Sequence, residues 1–471
     1  MDQTERMRVD LIGVTPELGT VLERLTRAGG RPVIVGGSVR DALLGTPSND
    51  VDVECYSLSY RDLTEALADL GRVDLVGASF GVLKYTTDTL DVDISLPRRD
   101  QKVGIGHRGF EVDVDHTLSF VEASARRDFT INAIGWNPAT GELLDPHAGR
   151  ADLEARVLRH VSNAFGEDPL RVLRGVQFAG RFDLTFHPDT AELCRSMFDT
   201  FHQLPVERVW GEWKKLGSLA VRPSRSLQAM RDCGWLDHHP DLTAIEGVPQ
   251  DPRWHPEGDV EVHTAEAVDA AAAWCDIRGI DGDDRMLTVL TTMLHDLGKA
   301  THTQIQPDGR ITSYGHAEAG VEPALRFLRS IGAPSELISK VGPIVREHMC
   351  VACAPESVTL AAVRRLARRL APASLVEWAR VVEADHLGRG SASHAGITDR
   401  WLQLAEAADV AGGVVKPHLK GEMLTALGLL PGPQFAQIIN ASRDAQDDGV
   451  IHNHDTAVAW AAQYVADHGL A

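Results

Sequence analysis

Between residues 30 and 100 the apolar positions fall into short runs of strand length, rich in β-branched residues: Pro32 to Val35, Val51 to Cys55, Gly81 to Thr87 and Leu90 to Leu96. The first run ends at Gly36-Gly37, and Ser38 to Leu44 then carries helical spacing that stops at Gly45, so the local reading is strand, turn, helix. Arg126 to Ala133 passes from charged into apolar residues and marks the entrance to another element, Asp145 to Gly149 reads as a turn, and Asp152-Leu153 with Arg156 and Arg159 starts a helical region. From Gly166 to Ala179 the segment opens like a helix with acids and Pro169 in its first turn, and helical periodicity continues to about residue 245. A connection rich in Pro and His, Pro249 to Asp259, reads as a linker, after which the pattern is helical to the C-terminus. The periodicity predicts an α+β chain: a small mixed head to residue 145, then helices.

The head carries the first chemistry. Backbone N–H groups at a glycine turn and the positive end of the following helix attract an anion, and Arg40 adds a planar cation suited to phosphate oxygens. Just downstream, Asp50 and Asp52 stand at i and i+2 among valines, so a strand turns both carboxylates to one face. Such a pair is either solvated or holds divalent cations, as in two-metal nucleotidyl transfer. The glycine turn upstream favours the metal reading. Asp91 and Asp93 repeat the pattern on a later strand; Asp93 is the expected third acidic neighbour, with an exposed edge as the alternative.

The helical half carries His263, His295-Asp296, His316, His348 and Asp385. One His-Asp couple inside an apolar helix is commonly a buried hydrogen-bonded pair. Four histidines and two aspartates in helical or helix-adjacent contexts point instead to a metal cage.

Composition narrows the classes. At 471 residues the chain suits three or four units, since one domain averages roughly 150 residues. The N-terminal residues lack an apolar targeting stretch, and no 18-residue uncharged run occurs, so a cytoplasmic protein without membrane contact is expected. Six scattered cysteines form no disulfide framework, and Cys350-Val-Ala-Cys353 has no second pair at zinc-ribbon spacing. A net charge of −20 excludes indiscriminate binding to a polyanion and confines any nucleic-acid contact to patches. Candidates are Pro97 to Arg99, Arg126-Arg127, Arg222 to Arg231, and Arg364-Arg365 with Arg368-Arg369; the last reads equally well as a solvated helix face.

Taken together, Gly36-Gly37 with Arg40-Asp41, Asp50-Val-Asp52, Arg126-Arg127-Asp128 with Asn132, Asp145-Pro with Gly149 and Asp152, Glu167-Asp168-Pro-Leu-Arg171, Val206-Glu207-Arg208 with Glu212 and Lys215, and the His-Asp cluster occur in a fixed order. In this the sequence resembles the class II tRNA nucleotidyltransferases, the bacterial CCA-adding enzyme and poly(A) polymerase family, of the kind with an HD phosphohydrolase domain. The resemblance implies a polymerase-β-like head (1–145), a helical neck and body with a base-reading helix (146–248), an HD domain (249–390) and an RNA-contacting helical tail (391–471).

It further implies Asp50 and Asp52 as catalytic carboxylates holding Mg²⁺, with Gly36, Gly37, Ser38 and Arg40 on the triphosphate. Arg127, Asp128 and Asn132 would position sugar and phosphates, and Asp168 and Arg171, with Arg174 on the same helix, would read the base without a template. The chemistry agrees: cytosine and adenine both offer an amino donor beside a ring-nitrogen acceptor, which an Asp-Arg pair matches, whereas uracil and guanine oppose it. For the second site the resemblance implies His263, His295, Asp296 and Asp385 as ligands, with His316 and His348 near a second ion. The metal there would be a transition ion such as Ni²⁺ or Mn²⁺, or Mg²⁺, and the reaction hydrolysis of phosphomonoesters or cyclic phosphates on RNA ends. Partners implied are the tRNA 3′ acceptor end, CTP and ATP, with the protein monomeric or homodimeric.

Two positions depart from the family pattern: Gln177-Phe178-Ala179 where an arginine usually precedes Phe-Ala, and Glu122 to Ala125 where acids usually precede Arg126. Alternative readings are a poly(A) polymerase, a partial CC- or A-adding enzyme, a non-catalytic RNA-binding protein on the same scaffold, and an enzyme whose main activity is the hydrolase.

Overall fold

The computed structural model describes residues 12–47, 50–76, 82–102, 110–353, 358–390 and 395–470. Asn49 and Gly81, and the side chains of Arg99 and Cys353, lie outside the described residues. Contacts divide the chain into two compact units, Met1–Val209 with Arg225–His238, and Trp210–Ser224 with His239–Ala471.

The first unit opens with α1 (Pro16–Arg27), which starts where Thr15 accepts the Leu18 N–H and Pro16 supplies a preset φ, and which buries Leu18, Val21, Leu22 and Leu25. Then follow β1 (Arg31–Val35), α2 (Gly37–Leu43), β2 (Asp52–Tyr56), β3 (Arg72–Val76), β4 (Val82–Thr86) and β5 (Asp91–Ser95), a separate hairpin of β6 (Arg98–Lys102) and β7 (Phe110–Val114), and β8 (Gly135–Asn137) and β9 (Glu142–Leu144). The seven-stranded sheet runs β3-β4-β5-β2-β1-β8-β9, with β2 and β5 parallel and every other pairing antiparallel. Central β1 is apolar because both its faces are covered. Val33 and Val35 meet Tyr56, Phe120 and Ala123 on one side. Edge-ward β5 alternates, with Val92 and Ile94 inside and Asp91 and Asp93 outside.

Two expectations fail here for local reasons. The helix at Asp152 spans only Gly149–Glu154; Arg156 turns left-handed at φ +59°, and Val157–Leu158 pairs with Thr185–Phe186 instead of continuing the helix. Gly149 starts it because a Cβ there would lie 2.1 Å from the Thr130 carbonyl oxygen. The acids before Leu170 are not in the first turn of a helix: Asn163–Glu167 is a 3₁₀ turn, Asp168 is extended, and α3 spans Leu170–Phe182. Asp168 works from outside, its Oδ1 accepting the Leu170 N–H at 3.0 Å.

After α4 (Val206–Leu219), the second unit is built on α5 (Val260–Ile277), α6 (Gly282–Leu294), α7 (Ser335–Glu347), α8 (Leu360–Leu370), α9 (Leu375–Leu387) and α10 (Pro433–Asp447). Small residues Ala271, Ala272 and Ala384 around Val289 let α5, α6 and α9 approach closely. The tail has a cluster of its own, Leu419, Leu424, Leu429, Ile438, Ile451, Ala457 and Ala461.

The stretch from Pro249 to Asp259 is not a free linker. Gln250 is buried, its Oε1 accepting from Lys299 Nζ at 2.7 Å and its Nε2 donating to the Gly258 carbonyl, and Glu257 is hydrogen-bonded into the histidine cluster. The arginine face of α8 is internally neutralised: Arg365 pairs with Asp448, Arg368 with Asp444 and Asp447, Arg369 with Glu347, and Arg364 donates to the Asp447 carbonyl. Among the described residues no helix is long and apolar enough to cross a membrane.

Candidate active and metal sites

In the first unit the chain reverses between β1 and α2 through Gly36, at φ +77° and ψ −132°, a conformation that L side chains avoid. Its open face is shared: a Cβ there would lie 3.4 Å from Arg127 Nη1 and 3.7 Å from Asp52 Oδ2. Glycine turn, arginine and carboxylate therefore meet at one point. Ladder register sets Asp52 beside Val35 on one side and Asp93 on the other, while Asp91 leaves to pair with Lys84. Burial, with the charges of Asp50, Asp93 and Glu54, raises the Asp52 carboxyl above its usual range despite Arg127. An all-oxygen cluster whose members repel one another suits a hard cation such as Mg²⁺.

Behind this point runs a polar chain. Arg40 Nη1 donates to Asn132 Oδ1 at 2.6 Å, Asn132 Nδ2 to Asp128 Oδ1 at 3.0 Å, and Arg174 Nε to Asp128 Oδ2 at 2.9 Å. Asp41 also binds the Arg40 guanidinium, which lies over the Phe182 ring at 4.3 Å. Burial opposes charge on Asp128, but Arg174, Asn132 and the Phe129 N–H hold its carboxyl below the usual range. Ser38 is buried, and its Oγ has no hydrogen-bond partner among the described residues. That hydroxyl fits a ligand beside the turn.

Asp168 and Arg171 are fixed by different partners. Arg208 Nη2 donates to Asp168 Oδ2 at 2.9 Å, and Arg171 donates to the Ala164 and Arg126 carbonyls at 2.8 and 2.9 Å.

In the second unit all six sequence-expected ligands converge. His263 Nε2 lies 3.0 Å from Asp385 Oδ1, and Asp296 Oδ2 lies 3.2 Å from His295 Nε2. Asp296 Oδ1 lies 3.3 Å from His316 Nε2 and 3.7 Å from His348 Nε2. The rings are aimed by their other nitrogens. Nδ1 of His295, His316 and His348 sits 2.6 to 2.7 Å from the carbonyls of Thr292, Ser313 and Val345, so each Nδ1 carries the proton and each Nε2 faces the centre. Glu257 plays that part for His263 at 2.7 Å.

His295 Nε2 and both Asp296 oxygens are buried, held by ion pairing with one another and with Lys299 rather than by well-angled hydrogen bonds. Burial opposes ionisation of Asp296, but His295 and Lys299, its Nζ 2.6 Å away, hold the carboxyl well below the usual range. Burial likewise opposes charge on His295, and Asp296 and Asp385 outweigh it, raising the pKa to about 10. A divalent cation fits this arrangement: buried imidazole and carboxylate donors crowded together suit a transition metal. Asp296, His316, His348 and Asp385 of the cluster line a cleft of about 630 Å³.

Several residues escaped the sequence reading. Glu54, on the strand of Asp52, is fully buried and faces Arg126 and Arg127 at 3.4 Å each, with Tyr56 donating at 2.8 Å. The continued alternation Asp50, Asp52, Glu54 was its signal. Arg208 belonged to the ordered motif Val206-Glu207-Arg208 but carried no sign of its contact with Asp168, and Glu257, Gln250 and Lys299 gave no signal beyond Lys299 standing three residues after Asp296. The departure at Glu122 has a structural role: with Ser119 it forms a capping box on the helix Phe120–Ser124. Gln177 is buried, with Nε2 unpartnered among the described residues.

Residues 33–159 match the family described as "Poly A polymerase head domain", and residues 183–246 that described as "Probable RNA and SrmB- binding site of polymerase A". The chain is 36% identical over 428 residues to the multifunctional CCA protein of Xanthomonas campestris pv. campestris (strain B100), covering 88% of this chain and 97% of the relative. It is 37% identical over 368 residues to that of Azoarcus sp. (strain BH72), covering 76% and 84%. Among solved structures, the Bacillus stearothermophilus CCA-adding enzyme in complex with CTP is similar with a TM-score of 0.64 and 20% identity, over 97% of this chain and 99% of that one. At that identity the likeness is one of fold.

Proposed function

This chain belongs to the class II CCA-adding enzyme family and is a nucleotidyltransferase, and from that premise we propose that it adds C, C and A to the 3′ end of tRNA from CTP and ATP. The observation that carries the proposal is the meeting of Gly36, Arg127 and Asp52 at one point, with Asp93 in register beside Asp52. Asp50 and Asp52 would hold Mg²⁺, which supplies charge neutralisation at the transferring phosphate and a more acidic 3′-hydroxyl. Gly36, Gly37, Ser38, Arg40 and Arg127 bind the triphosphate. Asp128 and Asn132 position it through the chain that ends at Arg174. Asp168 accepts from the exocyclic amine of C or A while Arg171 donates to the adjacent ring nitrogen, so one pair serves both substrates. UTP and GTP set donor against donor, a mismatch that hydrogen-bonding sites reject by roughly 10⁴–10⁵.

The reading extends to the second unit as a metal-dependent phosphohydrolase for RNA 3′ ends. His263, His295, Asp296 and Asp385 would hold a divalent cation, with His316 and His348 at a second, and the ion would supply an activated water. Glu257 and the three backbone carbonyls keep the imidazoles aimed and in one tautomer.

Transcripts of tRNA ending before CCA, after C and after CC, incubated with labelled CTP and ATP, test the transferase. Stepwise completion is expected, and long A tails without CTP use would overturn it in favour of a poly(A) polymerase. Asp50→Ala should abolish labelling and spare hydrolysis of a 2′,3′-cyclic phosphate, and His295→Ala should do the reverse. Loss of both activities in either variant would reject two separate sites.

A further inference from the structure

Trp254 and Tyr314, 66% and 81% exposed, are the only exposed aromatic residues among the described residues. Both line the cleft that holds the His-Asp cluster. Every other described aromatic ring is at least half-buried, so the coincidence of these two on one cleft calls for a cause. Core packing supplies none. Neither ring has an aromatic partner among the described residues, and each leaves a large apolar surface in water.

Their positions are fixed by the same turns that aim the site's imidazoles. Trp254 precedes His255, and both backbone N–H groups donate to the Asp251 carbonyl at 3.0 Å. His255 in turn lines the cleft and shares Glu257 with His263. Tyr314 stands two residues before His316, whose Nδ1 is held by the Ser313 carbonyl, and Gly315 at φ +81° lets the chain turn between them. Lys299, Arg310 and Arg389 lie on the same walls and give the cleft cations suited to a phosphate. Flat apolar faces at the mouth, cations on the walls and an acid-imidazole cluster within match a ligand with a flat ring at one end and a phosphate at the other.

We propose that Trp254 and Tyr314 form a base-stacking subsite, by which the hydrolase cleft selects phosphate esters that carry a nucleobase over esters that do not. The inference rests on the hydrolase reading above for its catalytic consequence, not for the stacking itself. Because every base has a π face, the subsite is sequence-tolerant.

Two measurements test it on the full chain. With Mn²⁺ added, hydrolysis of adenosine 2′-monophosphate is compared with that of glycerol 2-phosphate. Stacking is worth roughly 1–3 kcal/mol per base, so Trp254→Ala or Tyr314→Ala should raise the KM for the nucleotide roughly 5–150-fold. The KM for glycerol 2-phosphate should stay within about twofold, and Trp254→Phe should recover most of the loss. Equal movement for both esters, or none for either, overturns the subsite. Without metal or turnover, adenosine 2′-monophosphate should quench tryptophan emission in the wild type in excess of its effect on Trp254→Phe; equal quenching in the two overturns the stacking. Failure of the wild type to hydrolyse any ester would count against the hydrolase reading alone, and the quenching difference would still decide the subsite.

Discussion

Glu54→Gln separates a structural from a functional reading of the transferase site. The carboxylate is fully buried, and its partners Arg126 and Arg127 are 21% and 17% exposed at 3.4 Å. Burial opposes its ionisation, but Arg127, Arg126 and the Tyr56 hydroxyl together hold it below the usual range, so it is charged at neutral pH. Each pair at that distance is worth about 5 kcal/mol of attraction at an effective dielectric near 20, most of it returned as desolvation. Breaking a buried pair by removing one partner costs about 3–5 kcal/mol. Here the amide still accepts from Tyr56, and both guanidiniums reach water, which lowers the expectation to about 2 kcal/mol. For a unit of this size that is about 4–8 °C off its thermal transition.

The functional part follows from Arg127. It is tied to Glu54 and to the Asn132 carbonyl, and it lies against the glycine turn. Without Glu54 it keeps one anchor and pays more ordering entropy on meeting a triphosphate. Binding before and during transfer suffers alike, so the KM for CTP and ATP should rise about tenfold with kcat within about twofold. Differential scanning fluorimetry and single-nucleotide addition kinetics provide the readouts. A variant with wild-type melting and wild-type KM would refute the role given to Glu54, and so would a fall in kcat at constant KM.

Three further outcomes are expected. Arg208→Ala removes the guanidinium that orients Asp168, so incorporation of C and A should weaken together by several-fold while discrimination against UTP narrows; primer-extension kinetics on tRNA ending before CCA would show it, and selective loss of one nucleotide would contradict it. Gly36→Ala forces an L side chain to φ +77°, at roughly 1–2 kcal/mol, and should lower both the melting temperature and the affinity for nucleotide. Glu54 and Asp128 both have depressed carboxyl pKa values in the fold, so their stabilisation is complete above the ordinary values of 4.5 and 3.8 and is lost as pH falls through the lower folded values. The first unit should therefore melt at progressively lower temperature below about pH 4, and Glu54→Gln or Asp128→Asn should flatten that slope.

Local sequence determined much of this protein. The strands around the glycine turn and the helical second half follow from short-range periodicity, which depends only on backbone geometry, whereas Asp50 lies just before β2, which starts at Asp52. The six residues of the His-Asp cluster were legible because four histidines and two aspartates recur in helical contexts over a short stretch of chain. What the sequence left open were the pairings that only folding creates. Asp93 became the neighbour of Asp52 through parallel register between β2 and β5, and Asp91 left for Lys84. Pro249 to Asp259 had a linker's composition, yet it became a wall of the His-Asp cleft because Gln250 and Glu257 found Lys299 and His263. Asp168 and Arg171 stand three residues apart, but their orientation came from Arg208 and from carbonyls far away in the chain. Periodicity reports which face a side chain takes; the charge that faces it across the fold is set by tertiary distance, and no local pattern encodes that.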